Sequence, residues 1–70
     1  MKYQHWQVDL LNATGPNLGV AIFPSLLLEA PSQNAALDAF ARTYGASDFA
    51  EMSKLIKVER RTYKLMVRTA

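Results

Sequence analysis

Between Lys2 and Leu11 apolar and polar positions alternate: Trp6, Val8 and Leu10 fall on one side, and Tyr3, His5, Gln7 and Asp9 on the other. Period two with a polar opposite face predicts a half-buried strand. Asn12 to Asn17, with its Gly15-Pro16 step, reads as a loop. Leu18 to Phe23 is rich in β-formers and predicts a second strand, paired with the first as a hairpin. Pro24 cannot donate to a ladder, so it marks an edge, a bulge or the strand's end. Leu26, Leu27 and Leu28 form an apolar run without alternation, which fits a strand buried on both faces or a short helix turn, and the break at Glu29 to Ser32 favours strand. Ser25 to Ala30 either continues the bent second strand or starts a third.

The period then changes. Pro31 biases Ala30 towards extended backbone, and Ser32 stands where an N-cap belongs. Leu37, Phe40, Ala41 and Tyr44 follow at i, i+3, i+4 and i+7, one face of a helix. Gly45 supplies the stop, since glycine enters the left-handed C′ conformation without strain. Asp48, with Glu51 three positions on, fits a capping box, and Phe49, Met52 and Ile56 share a face of a second, short helix. Lys57 to Arg61 reads as a polar connection. Alternation returns from Thr62 to Arg68, with Tyr63, Leu65 and Val67 against Lys64, Met66 and Arg68. This predicts a last strand. An alternative pairs Ile56–Val58 with Lys64–Val67 as a second hairpin. The pattern as a whole is α+β: a small antiparallel sheet, β-β-(β)-α-α-β, under one helical layer.

Composition narrows the class. The chain has 70 residues, half of them apolar, which is one small α+β domain with a modest core. The absence of cysteine excludes disulfides and thiolate metal sites and points to a reducing, cytoplasmic home. The apolar stretch near Leu18–Leu28 is interrupted and too short to span a bilayer, and there is no basic-then-apolar leader pattern, so no membrane partner is expected.

Charge is unevenly spread. Residues 1–53 hold Lys2 and Arg42 against Asp9, Glu29, Asp38, Asp48 and Glu51, a balance of −3. Residues 54–70 hold Lys54, Lys57, Arg60, Arg61, Lys64 and Arg68 against Glu59, a balance of +5. A basic tail on a mildly acidic body suits an acidic partner, either nucleic acid or an acidic protein surface. Lys57, Arg60, Arg61, Lys64 and Arg68 are the expected contacts, with Tyr3, Trp6 or Tyr63 as candidate stacking platforms for bases. The competing reading is that these cations solubilise an edge strand and discourage edge pairing.

Catalytic chemistry has little to stand on. His5 is the lone histidine, and on its strand face Asp9 lies too far away for a tight dyad. Ser25 and Ser32 both follow proline, where turn and cap roles suffice. The carboxylates are scattered, and Gly15 and Gly19 make no phosphate loop. The expectation is a non-enzyme without cofactor or metal. It is a binding or regulatory module, open to self-association as a homodimer through a sheet edge or helix face.

One stretch resembles a known family. Gly19 to Leu26 (GVAIFPSL), followed by Ser32 to Leu37 (SQNAAL), is similar to the strand, Phe-Pro, strand and helix core of HicB-type antitoxins. The similarity covers about a quarter of the chain. That family's glycine-rich turn and its Gly-Asp-Thr helix start have no counterpart here. The resemblance implies a small sheet-and-helix domain that binds and blocks a ribonuclease toxin, and so a protein-binding alternative to the nucleic-acid reading.

Overall fold

A computed structural model describes residues 3–59 and 62–70. Five elements follow in order: β1 (Gln4–Asn12), β2 (Ala21–Ala30), α1 (Gln33–Thr43), α2 (Phe49–Val58) and β3 (Tyr63–Thr69). The strands form one antiparallel sheet in the order β2-β1-β3, and both helices lie on one of its faces. The fold is α+β, as the spacing of apolar residues predicts.

β1 is the centre because its alternation is the cleanest. Val8 and Leu10 are fully buried beneath the helices, and Trp6 packs beside them. β3 meets β1 with Val67 opposite Val8 and Leu65 opposite Leu10, so both strands put aliphatic residues on the helix side at the same level. The alternative hairpin from Ile56–Val58 does not form. Those residues are the last turn of α2, where Ile56 is needed in the core. Lys57, expected in a polar connection, is likewise helical. Residues 60–61 lie outside the described residues.

β2 is one strand of ten residues, so Ser25 to Ala30 is not separate. It begins at Ala21 and not at Leu18. Gly15 and Gly19 adopt φ of 84° and 82°, and the turns they make coil residues 13–20 into a loop. That leaves Leu18 exposed. Pro24 marks a bulge. Val8 pairs with Leu26 but Leu10 pairs with Phe23, so Pro24 and Ser25 together oppose Asp9. Proline fits where the ladder is already interrupted. The Leu26–Leu28 run is not buried on both faces, as its unbroken hydrophobicity suggests. Leu26 and Leu28 turn to the helices, whereas Leu27 is 59 % exposed.

α1 starts and stops where its signals stand. The Ala35 amide donates to the Ser32 hydroxyl oxygen at 3.2 Å. At the other end Gly45 sits at φ 91°. Its amide donates to the Arg42 carbonyl at 3.2 Å and that of Ala46 to Ala41 at 3.0 Å, a complete Schellman closure. Ala36, Phe40 and Ala41 are fully buried. Tyr44 stacks on Phe23 with ring centroids 4.8 Å apart and donates its hydroxyl to the Pro24 carbonyl at 2.6 Å. That ties the end of α1 to the bulge in β2.

α2 is capped twice. Asp48 Oδ1 accepts from the Glu51 amide at 2.8 Å. Asp38, on α1, accepts from the Phe49 amide at 3.0 Å. The return half of the capping box is diverted, since the Glu51 carboxylate takes the Ser47 hydroxyl. Met52 and Ile56 are buried. Tyr63 at the start of β3 meets Phe49 edge-on at 6.3 Å and shares a 3.0 Å hydrogen bond with Ser53.

Candidate interaction surfaces

The helices cover one side of the sheet, and strand alternation fixes what stands on the other. From β1 it carries His5, Gln7, Asp9 and Leu11; from β2, Leu27 and Glu29; from β3, Lys64, Met66 and Arg68. The register places Gln7 level with Leu27 and Arg68, Asp9 with Met66, and Leu11 with Lys64. The centre of this open face is therefore mixed and half-buried, with Leu27 standing out of it. Its β3 border is cationic and its β2 border carries one carboxylate.

Among the described residues two ion pairs cross the face. His5 Nε2 lies 3.0 Å from Glu29 Oε1 on the neighbouring strand, both side chains more than half exposed. Arg68 reaches diagonally to Asp9 at 4.0 Å, where the carboxylate is 19 % exposed. Neither pair is visible in the one-dimensional sequence, because each depends on the strand register. His5 thus has a carboxylate partner after all, Glu29 and not Asp9. The pair sits open to solvent.

The basic residues that sequence grouped together are divided. Lys64 and Arg68 share the open face, being four positions apart on one strand of period two. Lys57 projects from α2 in the helical layer, on the other side of the sheet. Arg60 and Arg61 lie outside the described residues. Of the proposed stacking platforms, Trp6 and Tyr63 face the helices. The Trp6 indole N–H donates to the Ala30 carbonyl at 3.0 Å, and the Tyr63 hydroxyl is engaged with Ser53. Tyr3, 65 % exposed, remains at the end of β1.

A second surface is a groove of about 390 Å³ between the start of β2, the end of α1 and α2. Ile22, Phe23, Tyr44, Met52, Leu55 and Val58 line it, and Val58 is 79 % exposed. Its walls are mostly apolar, with Glu59 among them, which gives contact area with few of the convergent polar groups that orient a substrate. Among the described residues no group of three His, Asp or Glu side chains could hold a metal, and no helix is long and apolar enough to cross a membrane.

No family model, no curated protein and no solved structure matches this chain.

Proposed function

We propose that this protein is a non-catalytic binding module whose open sheet face, bordered by Lys64 and Arg68, receives an acidic protein surface. The observation that carries this reading is the one-sided sheet. A three-stranded layer packed on one face leaves Leu11, Leu27 and Met66 among polar neighbours on the other, with two cations along one border. Apolar centre and charged rim is the ordinary anatomy of a protein contact. The cations would set orientation and association rate more than affinity.

Nucleic acid is the other acidic partner that the basic strand suits. The protein reading is preferred because Trp6 and Tyr63 are committed to the core, and because Asp9 and Glu29 stand on the same face as the cations. A polynucleotide would bring phosphates against these carboxylates all along its backbone, whereas a protein can place its acids opposite Lys64 and Arg68 alone. An inhibitor role of the antitoxin kind belongs to the same protein-binding reading.

The test compares the immobilised protein with a Lys64→Glu/Arg68→Glu variant for capture of partners from lysate. Oligonucleotide anisotropy is run alongside at about 50 and 200 mM salt, the range in which phosphate contacts weaken steeply. A partner held by the parent chain and lost by the variant supports the proposal. A partner held equally by both overturns the choice of face. Oligonucleotide binding that collapses between the two salt conditions overturns the protein reading in favour of nucleic acid.

A further inference from the structure

The outer edge of β2 is built differently from the outer edge of β3. The Ala70 amide donates to the His5 carbonyl at 3.0 Å, so the backbone groups of His5, Gln7, Asp9 and Leu11 point towards β3. Those of Gln4, Trp6 and Val8 point towards β2, to Ala30, Leu28 and Leu26. The amides and carbonyls of Ser25, Leu27 and Glu29 therefore point outward. Among the described residues no strand lies beyond them. The outward stretch is bounded by Pro24, which has no N–H and whose carbonyl is taken by Tyr44, and by Pro31.

This edge carries its protecting devices only at its ends, where the bulge at Pro24 and Pro31 stand. Between them the register with β1 is unbroken, the middle residue is an exposed leucine, and the one charge is Glu29. The β3 edge is protected. If two copies met antiparallel about Met66, Lys64 of each would stand opposite Arg68 of the other.

We infer that the β2 edge is a homodimer interface, in which two copies pair antiparallel about a two-fold axis at Leu27 to make one six-stranded sheet. The segment Ser25-Leu26-Leu27-Leu28-Glu29 is symmetric in its three leucines and polar at both ends. About the axis Leu27 meets its own copy. Ser25 meets Glu29, so a hydroxyl faces a carboxylate and no like charges are opposed. On the helix side Leu26 meets Leu28, extending each core into the other. About six backbone hydrogen bonds close across the seam.

The helical layer leaves room for this approach. Asp38 turns towards α2, where it caps Phe49, so the α1 flank that overhangs the free edge is the opposite one. Ala39 and Thr43 occupy it, and both are small. This inference does not depend on the proposed function: it rests on the outward backbone groups of β2, whereas that reading rests on Lys64 and Arg68 along β3, Leu27 being shared by both. Pairing would join two open faces, their cationic β3 borders about 24 Å apart at ordinary strand spacing.

The experiment is sedimentation equilibrium of the full chain from about 1 to 500 μM, with three single variants. The parent chain is expected to dimerise within that range. Leu27→Lys places two ammonium groups on the axis and should weaken association at least about tenfold, its fold checked by circular dichroism because residue 27 is exposed. Leu27→Cys should be cross-linked to its own copy by mild oxidation, as the chain has no other cysteine. Ser25→Cys should not, since residue 25 lies opposite residue 29. A parent chain monomeric at 500 μM overturns the inference. So does a folded Leu27→Lys that associates as the parent does, or cross-linking of Ser25→Cys as fast as Leu27→Cys. Failure here with intact partner capture leaves the open-face proposal standing; the reverse separates them as cleanly.

Discussion

Asp38 is the side chain through which the two helices are joined, and its removal has a magnitude that can be worked out. Its carboxylate accepts the first amide of α2, Phe49 N–H, at 3.0 Å in a half-buried position. Hydrogen bonds to charged groups contribute about 1.5–3 kcal/mol, and an acid at a helix N-terminus adds about 0.3–1 kcal/mol. Partial exposure places the expected loss for Asp38→Ala near 2 kcal/mol. The whole domain should hold only about 4–10 kcal/mol. With a urea m-value of about 1 kcal/mol/M for so short a chain, the midpoint should fall by about 2 M. Trp6 gives the fluorescence signal for the titration and far-UV circular dichroism the control for two-state behaviour. Asp38→Asn keeps an acceptor oxygen in place and should lose less than half as much. A drop below about 0.3 kcal/mol for the alanine variant, or equal drops for the two, would refute the argument that this acceptor holds α2 to α1. Asp48→Ala should lose about 1 kcal/mol more. The double variant should depart from simple addition, because the two acids cap the same helix end at amides two residues apart.

Gly45→Ala should lower stability by about 1–2 kcal/mol in thermal melts. A Cβ there meets nothing within 4 Å, so the whole effect is backbone strain at φ 91°; a neutral substitution would disprove the strain. Phe40→Ala removes a fully buried ring and should take about 3–5 kcal/mol, roughly half of the domain's stability, in urea titrations followed by near-UV circular dichroism. His5→Ala should change stability by less than about 0.5 kcal/mol despite the 3.0 Å contact with Glu29, since both groups are solvated. A larger loss in denaturant titration would show that the pair matters to the fold.

What could be read in the chain was whatever depends on near neighbours. Ser32, the 3.6 period through Phe40 and Tyr44, and Gly45 define α1 within a residue or two, because capping and periodicity act over one turn. β1 and β3 were legible for the same reason, as alternation survives without knowledge of the partner strand. Leu26 to Leu28 misled because an apolar run looks the same whether it is covered on both sides or bared on an edge. Only the strand order tells these apart. Leu18 looked like a strand because its neighbours are β-formers, but positive φ at Gly19 overrides propensity. The surface chemistry was least legible. Lys57 and Lys64 are seven positions apart in sequence and on opposite sides of the sheet in space, and the partners of His5 and Asp9 come from strands 24 and 59 positions away.

The central position of β1 has a consequence for how the protein is made. On the ribosome β1 emerges first of the five elements, and one of its two neighbours, β3, emerges last. The β1–β2 hairpin can close within microseconds of its synthesis. The other side of β1 must wait for residues 63–69, which at ordinary elongation rates is roughly 3–12 s. During that interval the nascent chain presents a half-built sheet, with the backbone groups of His5, Gln7, Asp9 and Leu11 still unmatched. The last seven residues of the sheet thus act as the protein's own closing clasp. Any pause in translation just before Tyr63 lengthens the time in which a chaperone, or a neighbouring chain, can take their place.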